Sequence, residues 1–132
     1  MDEQYTGGCA SLPGASWIPC PMTSDAIQVV TTAVSEAEAQ RIAAALVEAR
    51  LAACVQVSGP ITSTYHWQGK VETSQEWQCT IKTRQTHFAA VAAMITQLHS
   101  YDVPEILTTP IVAGSPEYLA WLSGELHQPP QP

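Results

Sequence analysis

The sequence predicts an α+β two-layer sandwich of the ferredoxin-like kind, with segments in the order βαββαβ and one further C-terminal helix. Three observations carry that expectation. Helical stretches with an apolar stripe alternate with β-branched runs of strand composition. The two middle strands run back to back through a Gln-Gly turn. They are also too long for so small a sheet, so the hairpin from about 54 to 84 is expected to project past the core.

The first strand is "AIQVVTTA", a short β-branched apolar run. Ser35 opens "SEAE", a capping box whose serine and Glu38 mark a helix start. Ala39, Ile42, Leu46 and Ala49 then recur at helical spacing through Arg50. "CVQVSG" returns as strand with Val55 and Val57 on one face, and Gly59-Pro60 kinks or interrupts it. "ITSTYHW" continues extended to the turn at Gln68-Gly69, and "KVETSQEWQCTIKT" runs back. There the strand period puts Trp77, Cys79 and Ile81 on one face and Gln78, Thr80 and Lys82 on the other.

Thr86 is placed to cap a second helix, with Phe88, Val91, Ala92, Ile95 and Leu98 as its apolar stripe. Pro104 biases Val103 out of the helical region, so the helix ends before it. "EILTTPIV" reads as the last strand of the sheet, and Pro110 marks it as an edge or a bulge. Ser115-Pro116, a capping serine with proline at the first helical position, starts the short helix "EYLAWLSGEL". Residues 1–24, rich in Gly, Pro and Ser, read as a flexible tail. Residues 25–126 read as the folded domain and 127–132 as a frayed end.

Composition narrows the function classes. Twelve acids against five bases give a net charge of −7, which argues against a phosphate-backbone binder. The βαββαβ order is shared with RNA-recognition modules, but neither their aromatic pattern nor their basic surround is present. No apolar run reaches membrane-spanning length, and the first residues lack a signal-peptide pattern, so the expected compartment is the cytoplasm. Cys9, Cys20, Cys54 and Cys79 have no CxxC spacing, which excludes a zinc-finger reading. Cys54 and Cys79 sit in apolar patterns and read as small core residues, so neither suits a nucleophile. Asp102 and Glu105 are the one acid–base pair to weigh, and nothing in the pattern makes them converge. The chain is therefore expected to be non-catalytic.

"LVEARLAACVQV", "STYHWQGKVE", "IKTR", "YDVPEI" and "PIVAGSPEYLAWL" stand in the order and spacing of the CutA divalent-cation-tolerance family. The resemblance covers about residues 26–126. It implies a ferredoxin-like subunit in an intertwined homotrimer, in which strands of neighbours complete each other's sheets. That architecture is similar to the PII signalling trimers, which bind small ligands in clefts between subunits. The resemblance also implies a role in the response to divalent metals, with copper binding in some members.

Two site readings follow. The metal reading falls on His99. A copper-binding version of the family resembles a first-strand cysteine with a histidine pair, and the matching positions here are Thr31, Leu98 and His99. Set against it, His99 closes a helix end, where partial positive charge is favoured. His66 and His87 lie elsewhere and are left as surface candidates. The small-ligand reading gathers Trp67, Lys82, Tyr101, Glu105 and Trp121 as aromatic walls with one cation and one carboxylate. Its structural alternatives are aromatics packed between subunits and a buried Lys82–Glu105 ion pair fixing strand register.

Overall fold

The computed structural model describes residues 25–128. The expected tail, residues 1–24, lies outside the described residues, as does the end of the chain beyond 128. The element order is β1 (Ala26–Ala33), α1 (Glu36–Glu48), β2 (Cys54–Trp67), β3 (Lys70–Arg84), α2 (Phe88–Leu98), β4 (Leu107–Pro110) and α3 (Pro116–Gly124). The four strands form one antiparallel sheet in the order β2-β3-β1-β4. This is the α+β ferredoxin-like layout that the alternating segments predict.

The helices α1 and α2 cover one face. Ile27, Val29, Ala33, Cys79 and Ile81 from the sheet meet Ala39, Ile42 and Leu46 of α1 and Val91 and Ile95 of α2 in one core. The period-two pattern of β3 holds: Cys79, Ile81 and Thr83 are buried, while Gln78, Thr80 and Lys82 face away. Opposite them on the same open face stand Gln28 and Val30 of β1 and Cys54, Gln56 and Ser58 of β2.

Element ends show where local signals were overruled. Ser35 Oγ accepts from the Glu38 N–H at 3.1 Å, as a capping serine should. The other half of the capping box is not made; the Glu38 carboxylate turns inward instead, toward the end of α2. The first helix stops at Glu48, not Arg50, and Ala49 is exposed rather than part of the apolar stripe. Arg50 takes φ 58, its N–H bonding Val47 O while Leu51 N–H bonds Leu46 O. That is a Schellman ending built on arginine instead of glycine. Arg50 is held there from outside, its guanidinium donating to Glu125 O at 3.0 Å and its carbonyl accepting from the His127 N–H.

Thr86 does not cap α2. A single 3-10 turn over Gln85–His87 precedes the helix, and the capping position falls to His87 without a side-chain cap bond. His87 is also not a surface group. It is buried, and its Nε2 donates to His127 O at 2.7 Å, tying down the C-terminal segment. The last sheet strand is shorter than "EILTTPIV" but lies at the sheet edge, with Pro110 opposite Ile27. An edge is where a residue without an N–H costs no ladder bond.

The central hairpin is the long one. Gln68 at φ 50 and Gly69 at φ 80 form a two-residue turn of the type that matches strand twist. The ladder continues from Trp67↔Lys70 down to Cys54↔Lys82, with one register shift between Ser58 and Ile61. Gly59-Pro60, in a cis peptide, sits at this bulge. Glycine is required there by space. A Cβ on Gly59 would lie 2.6 Å from Trp77 Cδ1 and 2.8 Å from its Cγ.

Candidate functional site

The predicted site residues are spread along β3: Lys82 near one end, Tyr101 beside Glu76 midway, and Trp67 opposite Lys70 at the hairpin tip. Glu76, to which Tyr101 bonds, lies six residues from Lys82, about 20 Å of extended chain.

Beside the middle of β3, the loop after α2 is fixed by buried polar contacts. The His99 ring is fully buried, and its Nε2 donates to Thr32 O at 2.6 Å. Its Nδ1 accepts from the Tyr101 N–H at 3.0 Å and lies 3.4 Å from Glu38 Oε2. The Ser100 N–H reaches the same carboxylate oxygen at 3.5 Å. Both ring nitrogens are thus engaged by main chain, so His99 as placed holds the loop and presents no free lone pair outward. Thr31, the first-strand position of the metal reading, is buried in the core with its Oγ1 unpartnered. Among the described residues no group of three His, Cys, Asp or Glu side chains stands close enough to hold a metal ion. The described residues of one chain therefore do not fit a copper centre.

Tyr101 itself is half-buried against the His99 ring, centroids 4.7 Å apart, and its hydroxyl donates to Glu76 Oε2 at 3.0 Å. Burial first, then that bond and the nearby Glu76, Tyr65 and Glu38, push its phenol up to about 12. Glu105 is exposed and makes no side-chain contact of this kind among the described residues. The expected Lys82–Glu105 ion pair does not form within the chain. Trp67 stands at the hairpin tip, 60% exposed. Asp102 is exposed in the bend that follows Tyr101.

At the Lys82 end, the open sheet face meets α3. Lys82 Nζ donates to Gln56 Oε1 at 2.6 Å. Cys54 stands directly across from it on β2, and Gln28 across on β1. The Tyr118 phenol is raised chiefly by burial and then by the Cys54 thiol beside it, which places α3 over this corner. The rings of Tyr118 and Trp121 lie 5.4 Å apart. Arg84 Nε bonds Asp25 Oδ1 at 2.8 Å while its Nη1 donates to Ser123 Oγ at 3.3 Å, anchoring the helix. The helix that carries Trp121 thus packs at the Lys82 end of the sheet, while Trp67, Tyr101 and Glu105 stand apart from it. Sequence reasoning missed Gln56, Tyr118, Glu76 and Glu38. Only the strand register signals Gln56, since Lys82 and Gln56 reach one face of a pair fixed by the hairpin turn.

Cys79 is buried, donates to Ala39 O at 3.6 Å, and burial raises it to about 11, so it is a core residue. No described helix is long and apolar enough to cross a membrane.

Comparison with known proteins places this architecture. The family model described as CutA1 divalent ion tolerance protein matches residues 27–125. The divalent-cation tolerance protein CutA of Pectobacterium atrosepticum is 42% identical over 102 residues, spanning 77% of this chain and 93% of the relative. The crystal structure of CutA from Xylella fastidiosa superposes with a TM-score of 0.77 at 40% identity, covering 79% of this chain and 100% of that one. CutA1 from Oryza sativa gives a TM-score of 0.78 at 35% identity, over 82% and 100% of the two chains. The long hairpin on a four-stranded ferredoxin-like sheet, the motifs in register and the matched span together make this chain a member of the CutA1 divalent ion tolerance family.

Proposed function

We propose that this chain acts in the cytoplasm as a non-catalytic homotrimer in the response to divalent metal ions, copper among them. The observation that carries the reading is the surface of the hairpin. Tyr65, Trp67 and Val71 are 41%, 60% and 65% exposed on strands that run past the helices. Protruding apolar strands with open edges need a cover, and a second and third copy of the same hairpin supply one. Because the described residues of one chain do not fit a copper centre, a cation in this reading is met by side chains pooled between chains or acts indirectly.

The experiment is the native mass by light scattering, paired with growth of cells lacking the chain on copper salts. A mass three times that of the chain and restored tolerance on re-expression are expected. A stable monomer that still restores tolerance removes the trimer from the function.

A second reading is favoured by the split of the site along β3. A small ligand in an inter-subunit cleft, as in PII-like modules, would use Lys82 and Trp121 of one chain with Tyr101, Glu105 and Trp67 drawn from its neighbours. The distances along β3 that separate Lys82, Tyr101 and Trp67 within one chain support a site shared in this way.

A further inference from the structure

We infer that the corner formed by Lys82, Gln56, Tyr118 and Trp121 is a seat for a small organic anion that carries a planar, unsaturated group. This rests on the small-ligand reading above and adds the ligand's charge and shape.

The charge balance points to an anion. The protein carries twelve acids and five bases, so cations are scarce. Arg84 is neutralised by Asp25, and Arg50 faces Glu125 at 3.4 Å. Lys82 is half-buried, yet its partner is the neutral amide of Gln56. Among the described residues no carboxylate lies within ion-pair reach of it. An ammonium has three N–H donors, so the Gln56 bond leaves two unspent. Around it the open face offers Gln28, Gln56, Gln78 and Thr80, which can hydrogen-bond a ligand and add no charge of their own. A half-buried cation without a counter-charge in so acidic a protein is a poor structural choice and a good anion receptor.

The shape argument comes from α3. Tyr118 and Trp121 are 41% and 44% exposed with their rings tilted at 43°, and the Tyr118 phenol lies beside Cys54, the β2 partner of Lys82. An aromatic wall next to an ammonium suits a carboxylate or phosphate attached to a flat group that packs on the rings. The Arg84–Ser123 bond holds α3 in place two residues beyond Lys82, so the wall is set before any ligand arrives.

The test uses the full chain and three probes: benzoate, inorganic phosphate and benzylammonium. Binding is followed by NMR through the indole N–H of Trp121, assigned by its loss in Trp121→Phe. Benzoate should give a saturable shift, phosphate a weaker one and benzylammonium none. Lys82→Met should weaken benzoate about tenfold or more, and Lys82→Arg should retain most of it. No saturable shift with benzoate, equal binding in Lys82→Met, or equal response to benzylammonium overturns the anion seat. Phosphate binding as tight as benzoate overturns the aromatic half of it. Native mass is measured on the same samples. A trimer that ignores benzoate sinks this inference and leaves the assembly standing. A benzoate-binding chain that stays monomeric does the reverse. If Lys82→Met instead lowers the native mass, an acid of a second copy already neutralises Lys82, and the seat is overturned.

Discussion

Tyr101 shows how one side chain couples the loop after α2 to the far strand. Its main-chain N–H is spent on His99 Nδ1 and its hydroxyl on Glu76. The phenol must stay protonated to make the second bond. Its folded value, about 12, stands above the ordinary 10.0, so the sign is that of a raised group. The stability it contributes is complete below pH 10 and lost as the pH climbs through about 12. Wild type should therefore lose stability across that alkaline window, followed by chemical denaturation at stepped pH. Tyr101→Phe should be less stable at neutral pH by about 1 kcal/mol, the worth of one hydrogen bond, and flatter above pH 10. An equal alkaline slope in both proteins would place the titrating group elsewhere. Thr31 is the opposite case: a buried hydroxyl with no partner, set among core side chains where only its shape is used.

At the scale of elements, the long hairpin has one irregular point, and it is built around a glycine. The ladder shifts register between Ser58 and Ile61, and at that irregularity the Trp77 ring occupies the space a Cβ on Gly59 would need. Gly59→Ala pushes a methyl into that ring, while the neighbouring Glu76 carbonyl, 3.1 Å from the same point, blocks retreat. The ring must tilt or the strand must shift, at a cost of about 1–3 kcal/mol. Urea denaturation measures this, and the Trp77 near-UV dichroism should change with it. Unchanged stability and spectrum would mean that the irregularity has freedom to give. The sequence marks this spot through Gly59-Pro60, and it marks the strands, the faces of β3 and both serine caps, because each rests on neighbours a few residues apart. Arg50, His87 and Glu38 were not legible in that way. Each is set by a residue remote in the chain: Glu125, His127 and His99 respectively. Local signals named Glu38 a capping acid, and a partner more than sixty residues on redirected its carboxylate.

For the whole molecule, fold and candidate site were legible to different degrees for one physical reason. The sheet and its core close within one chain, so periodicity sees them. The five residues first gathered as a cleft do not meet within one chain, because β3 keeps its two ends apart. In the proposed inter-subunit cleft another copy joins them, and the hairpin is the surface through which copies would meet. Trp67 and Val71 stand near its tip, clear of the core cluster, so changing them removes no core contact. Trp67→Glu should leave the chain folded, with unchanged far-UV dichroism and little change in the core. At the same time it puts a buried, unpaired charge into any hairpin contact between copies, a penalty of several kcal/mol per site. In a three-fold assembly the penalty is met at every interface at once. We expect light scattering to fall from the trimer mass to that of one chain, with far less change for Trp67→Phe. If Trp67→Glu keeps the full mass, the tip lies outside the interface, and the exposed aromatics need another cover. If Trp67→Phe dissociates as readily, the contact depends on the indole itself and not on excluding charge.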